Sequence, residues 1–251
     1  MIDTHCHIVC DELYPEVDRI IKDSLAIGIT KLLVICINLI EAERGLNLYY
    51  KYPNLIELAI GFHPSDLSSF NDKDYEELER YLKLDCFVAL GEIGLDYHYE
   101  DTNKDEQAKG FIKQIEIANR IGKPIIVHMR EATEDTLNIL KKYLKVKGIM
   151  HCYSGSYETA MEVIKLGMLI SVGGPITFKN ARGLPEVIQR IDTHKLLIET
   201  DCPYLTPHPL RGVRNEPKYI AYTFNKMVDI TNLERDELEV IMLNSYNELF
   251  K

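Results

Sequence analysis

Two histidines stand two residues apart near the start of the chain, in Asp3-Thr4-His5-Cys6-His7. Side chains two apart on a strand share a face, so His5 and His7 point the same way. Glu92, His128, His151 and Asp201 each stand at the end of a short apolar run. Neutral imidazole and carboxylate suit Zn2+, Mn2+ or Fe2+, and carboxylates also suit Mg2+. These six residues are more than one tetrahedral ion takes. They fit two divalent ions about 3.5–4 Å apart, bridged by a carboxylate and a hydroxide. Singly, each has an ordinary reading. An HxH pair arises by chance, a strand histidine is often a hydrogen-bonded core residue, and Glu92 could be half of a buried ion pair. Gathered in one place without a ligand, all of them would carry a heavy desolvation cost.

The elements that must gather them are legible as an alternation. Short β-branched runs are expected at 2–8, 31–37, 55–61, 87–91, 124–128, 148–151, 168–173 and 195–200. Amphipathic stretches follow them at 14–26, 40–51, 72–84, 104–121, 132–143, 157–166, 184–191 and 216–229, with a last helix at 234–250. Such alternation implies a parallel sheet with right-handed crossovers. About eight repeats in a chain of 251 residues is the arithmetic of an α/β TIM barrel, (β/α)8, here with an extra C-terminal helix. The competing doubly wound sheet lacks its usual signature, because no GxGxxG follows the first strand and no GxxxxGK[ST] is present. In a barrel, the C-terminal ends of the strands converge on one mouth. The candidate ligands come from the first, fourth, fifth, sixth and eighth strands. No linker or composition shift interrupts the chain, so 1–251 reads as one domain.

Composition narrows the function. A chain 46% hydrophobic and 27% charged is ordinary for a soluble globular protein, which excludes collagen-like and largely disordered classes. With 29 basic against 39 acidic residues, a net −10, the chain is a poor candidate for a long non-specific duplex footprint. A short nucleic-acid segment held at bound cations is not excluded, since the ions invert the local field. The N-terminus shows no basic n-region or long apolar h-region, so no signal peptide is expected. The longest apolar run, Leu32 to Ile37, falls far short of a membrane span. The six cysteines form no CxxC pair, and a reducing, cytoplasmic setting is expected.

The motif order is distinctive. It runs Met1-Ile-Asp-Thr-His-Cys-His7, Gly61-Phe-His-Pro64, Gly91-Glu-Ile-Gly-Leu-Asp-Tyr97, Pro124-Ile-Ile-Val-His-Met-Arg130, His151-Cys-Tyr-Ser-Gly155, Glu199-Thr-Asp-Cys-Pro-Tyr204 and Arg211-Gly-Val-Arg-Asn-Glu-Pro217. This series resembles the TatD family of metal-dependent hydrolases, from Met1 to about Phe250. The resemblance implies a TIM barrel with an amidohydrolase-like site for two divalent ions (Zn, Mg, Mn or Ni). It implies His5, His7 and Asp201 on the first ion, Glu92 as the bridge, and His128 and His151 on the second. Asp201 and Glu92 are then the catalytic carboxylates, with Asp201 moving the proton. Family members are described as deoxyribonucleases, often trimming single-stranded DNA from the 3′ end. The expected activity is therefore phosphodiester hydrolysis by a two-metal-activated hydroxide, with a single-stranded DNA end as substrate and no membrane or obligate protein partner. Hydrolysis of an ester, lactone or amide, such as an aminoacyl-tRNA ester, is the alternative. A non-catalytic scaffold would have no need of the ligand set. The family often carries an Asn-Ala-Arg-like run near its C-terminus; Asn244-Ser-Tyr-Asn247 stands here instead, which reads as a distal packing change.

Other residues border the expected mouth. His63 follows the third strand, and Arg130 lies two residues past His128. Arg211 and Arg214 fall in the loop after the eighth strand, where barrels often bind phosphate. With Tyr153, these are the candidate substrate contacts. Their bland alternatives are a loop-bracing His63, an ion pair from Arg130 to Glu131 or Glu134, and one from Arg214 to Glu216. Asp96, Ser154 and Tyr204 also border the mouth, and a tyrosine there could stack on a base. Glu199 shares a face with Asp201 but lies deeper, as a supporting partner. Cys6, Cys152 and Cys202 adjoin proposed ligands, and strand alternation should turn them toward the helix layer.

Overall fold

The computed structural model describes residues 1–181 and 183–251. Eight strands pair in parallel and in chain order: β1 (Ile2–Cys6), β2 (Lys31–Cys36), β3 (Ile56–Ile60), β4 (Phe87–Asp96), β5 (Ile125–Arg130), β6 (Gly148–Met150), β7 (Met168–Val172) and β8 (Leu196–Ile198). Strands covered on both faces read as continuous apolar runs. In β2, Leu32 to Cys36 are fully buried. The helices are α1 (Val17–Ala26), α2 (Leu39–Lys51), α3 (Asp72–Leu82), α4 (Lys104–Ile121), α5 (Thr133–Tyr143), α6 (Tyr157–Lys165), α7 (Gly183–Gln189), α8 (Ile220–Thr231) and α9 (Arg235–Leu249). Helix starts are capped by side chains: Asn38 accepts from Glu41 N–H at α2, and Asn71 and Asp74 form a capping box at α3.

The sheet is a nearly closed barrel, and its seam lies between β8 and β1. Across it the backbone N–H of Asp201 donates to His5 O at 2.9 Å, and that of His7 donates to Cys202 O at 2.9 Å. Beneath them, Asp3 is fully buried. Its carboxylate accepts from Thr200 N–H at 3.0 Å, from the Thr200 hydroxyl at 2.6 Å and from His5 N–H at 3.3 Å. At the opposite end, α9 closes the barrel floor. Its Tyr246 hydroxyl donates to Glu57 at 2.6 Å, and Ser245 donates to His194 O at 2.9 Å. The 244–247 departure therefore packs at the end remote from the mouth.

Several boundaries differ from expectation: β1 ends at Cys6, β8 spans only Leu196–Ile198, and α1 follows a 3-10 turn at Tyr14–Glu16. β4 does not stop at Gly91 but continues to Asp96. Its glycines answer to close approach rather than to a turn. Gly94 has φ 147°, and a Cβ there would lie 1.9 Å from His128 O. The helix expected at 216–229 begins as a 3-10 turn, Pro217–Tyr219, before α8. Among the described residues no helix is long and apolar enough to cross a membrane.

Candidate metal centre

Glu92 projects from the middle of β4 into a ring of imidazoles. Its Oε1 lies 2.8 Å from His128 Nδ1 and 2.8 Å from His151 Nε2. Its Oε2 lies 3.3 Å from His5 Nε2 and 3.5 Å from His7 Nε2. One carboxylate thus turns its two oxygens to two separate pairs of histidines. Asp201 Oδ1 completes the first set, 3.7 Å from His5 and 3.5 Å from His7. His5 and His7 Nε2 stand 3.1 Å apart, and the rings of His5 and His151 stack with centroids 4.0 Å apart. Three overlapping groups have all their ligand atoms within 4.8 Å: His5, His7 and Asp201; His5, Glu92 and His151; His63, Glu92 and His128. Nitrogens converging this closely need a shared cation or protons between them, and the N/O donor set fits a divalent ion.

The electrostatics follow from burial and neighbours. Burial alone would raise the Glu92 carboxyl, but His151 and His128 hold it well below the usual carboxylate range. Burial would likewise raise Asp201, and the His7 imidazole overrides it and pulls it down. Burial would lower His151, yet the Glu92 and Glu199 carboxylates push it well above the ordinary histidine range. His5 is lowered by burial, and His151 adds to the effect. His63 is pushed down to about 4 by burial, so it is a neutral imidazole.

Carboxylates behind the histidines fix their orientation. Glu199 Oε1 lies 3.3 Å from His151 Nδ1 and accepts from Cys152 N–H at 2.8 Å. Asp96 Oδ2 lies 3.1 Å from His128 Nε2. Sequence reasoning placed Asp96 only at the border of the mouth. The signal was present: Asp96 is four residues after Glu92 on one strand, hence on its face.

The candidate substrate contacts divide. The Nδ1 of His63 accepts from Ser65 N–H at 3.2 Å, and its Nε2 stands 3.7 Å from Glu92. Arg130 pairs with neither Glu131 nor Glu134; its nearest carboxylate is Asp96, at 3.9 Å. Arg211 lies over the Phe178 ring at 3.9 Å. Arg214 takes the ion-pair alternative. It is bound to Glu16 at 2.8 Å and Glu216 at 3.2 Å, because the buried Glu216 carboxylate collects Arg19, Arg214 and Lys218. Tyr153 is a correction: it is 2% exposed and its hydroxyl donates to Ser156 O, so its ring is not open to a base. Tyr204 is, at 61% exposed, with its ring 6.3 Å from that of His7. Cys6 and Cys202 are fully buried. Cys152 is not on a strand, so the alternation argument does not reach it. It lies beyond β6 at φ 45°, where burial and then the Asp201, Glu199 and Glu92 charges raise its thiol well above the ordinary range.

A family model described as TatD related DNase matches residues 2–251. The chain belongs to the TatD family. It is 37% identical to YabD of Bacillus subtilis (strain 168), described as an uncharacterized metal-dependent hydrolase, over 100% of this chain and 99% of that protein. It is 33% identical to YcfH of Escherichia coli (strain K12), described in the same words, over 100% of this chain and 95% of that protein. The crystal structure of YjjV, a TatD homologue from Escherichia coli K12, superposes with a TM-score of 0.94 at 29% identity, covering 100% of this chain and 97% of the other. The TatD barrel described above is thus a metal-dependent hydrolase with a divalent-metal site built from histidines and carboxylates.

Proposed function

We propose that this TatD hydrolase is a deoxyribonuclease that cleaves phosphodiester bonds at the 3′ end of single-stranded DNA, using two divalent ions. The observation that carries the two-ion reading is the division of Glu92, with Oε2 toward His5 and His7 and Oε1 toward His128 and His151. His5, His7 and Asp201 would hold one ion, His128 and His151 the other, and Glu92 both. Zn, Mg, Mn and Ni all suit such a set. When bound, the ions supply Lewis acidity and a water acidic enough to ionise near neutral pH.

The protein's own groups do the rest. Asp201, held ionised beside His7, accepts the proton of the attacking water and returns it toward the leaving oxygen. Arg130 and Arg211 stand at the rim, and a guanidinium fork suits the non-bridging oxygens of a phosphate. Neutral His63 adds a hydrogen bond without adding charge. The ligands come from both the first and the last strand, which supports one catalytic domain over 1–251. Six free thiols support a reducing, cytoplasmic setting.

The test is a 5′-labelled single-stranded oligonucleotide. The protein is stripped with chelator, then given Mg2+, Mn2+ or Zn2+, with Asp201→Asn alongside. The expected result is a metal-restored ladder shortening from the 3′ end and absent in the variant. Failure of a protein shown to carry two ions to cleave it overturns the proposal in favour of an ester or amide substrate.

A further inference from the structure

Beside the metal centre lies a second cavity, of about 280 Å3, between the 3-10 turn that follows β3 and the start of α4. It is one residue from the centre on each side. Pro64, on its wall, follows His63, and Gln107, also on its wall, accepts from Asp96 N–H at 2.8 Å. Tyr99 forms an aromatic wall and is 57% exposed. Arg130 stands between the two places. Its guanidinium is 3.9 Å from Asp96 Oδ2 and 5.9 Å from the centre of the Tyr99 ring.

We infer that this cavity is a nucleobase subsite, holding the base next to the cleaved phosphate against Tyr99; the inference rests on the nuclease reading and deepens it. The volume is at the small end for a ligand pocket and suits one ring system. The charge on its wall settles which part of a nucleotide enters. Asp101 and Glu106 line the cavity, and no cation among the described residues pairs with them. Two carboxylates repel a phosphate, which is left to Arg130 and the metal centre. The amide oxygens of Gln107 and Asn103 already accept backbone N–H groups, from Asp96 and Glu106. The charged acceptors that remain are the two carboxylates, beside amide N–H donors and Ser65, Ser68 and Thr102 hydroxyls that can donate or accept. That pattern matches a base with an exocyclic amine. Adenine, cytosine and guanine meet it; thymine has no exocyclic amine, and its one N3–H is flanked by two carbonyl oxygens that the carboxylates repel.

The experiment compares metal-loaded protein on single strands with ordinary 3′-terminal nucleotides and on strands abasic there. Wild type should show a KM about fivefold or more lower on the base-bearing strand. Tyr99→Ala should bring that strand to the abasic level, and Tyr99→Phe should keep the difference. Anisotropy of a labelled strand, in an Asp201→Asn background that prevents turnover, should rank the same variants in the same order. Terminal dC should be preferred over dT, and Asp101→Asn with Glu106→Gln should erase that preference. Equal KM on the two strands, or a difference that survives Tyr99→Ala, overturns the subsite and leaves the nuclease standing. A dT end bound as well as dC overturns the assignment of the carboxylates. Failure to cleave either strand overturns the nuclease reading itself.

Discussion

Glu92 Oε1 lies 2.8 Å from His151 Nε2, tying the middle of β4 to the residue that follows β6. Glu92→Gln keeps the shape of the side chain and removes its charge. Metal retained after dialysis, measured by plasma emission, should fall by more than half. Hydrolysis should drop by more than about 10–100-fold, the range for losing a supporting partner of a metal ligand. Full metal content in the variant would show that Glu92 is not a ligand.

Asp201 holds its position through the backbone, donating its N–H to His5 O at 2.9 Å. Asp201→Asn should therefore fold and bind single-stranded DNA within a few-fold of wild type. Its kcat should fall by about 10²–10⁴, the ordinary range for loss of a general base. Turnover near wild type in a fully metallated variant would remove the proton-transfer role.

The Glu216 cluster predicts the acid limb of stability. Burial would raise the Glu216 carboxyl, but Arg19, Lys218 and Arg214 pull it down to about 2 from 4.5. A carboxylate lowered on folding stabilises fully above its unfolded value. That stability is lost as pH falls through 4.5 toward about 2. Thermal melts of Glu216→Gln should show a flatter slope across that window. Arg214→Ala should lower Tm while kcat/KM stays within twofold, whereas Arg130→Ala should raise KM for DNA.

Asp3 should matter through the seam. Asp3→Ala strands the buried N–H groups of His5 and Thr200, at about 1–3 kcal/mol each. Denaturant unfolding should register that loss, and metal affinity should fall with it because His5 and Asp201 flank the bonds removed. Asp3→Asn, whose amide oxygen can still accept both, should recover most of each.

The barrel was legible because its rhythm is: an apolar run, an amphipathic stretch, and again. The ligand set was legible as a collection for the same reason, each member standing at the end of a run. Sequence reasoning faltered where one residue type serves two purposes. Gly91 reads as a strand end, but in β4 a Cβ there would lie 2.5 Å from Ile126 Cβ, so the residue is small to admit its neighbour. Arg214 reads as a phosphate ligand until Arg19 and Lys218, remote from it in the chain or on a turn, are seen to gather on the same Glu216. Tyr153 reads as a mouth residue, and only packing reveals that its hydroxyl is turned to Ser156. Asp96 reads as bordering the mouth and not as the partner of His128, because the strand reads as ending at Gly91.

The seam has a consequence in time as well as in space. Asp201 leaves the ribosome nearly two hundred residues after His5 and His7. Until β8 arrives, β1 has no neighbour on that edge and its histidines have no aspartate. Closing the ring brings these groups together, so a nascent or truncated chain that lacks β8 is expected to be inactive, which an assay of a chain ending before β8 would check.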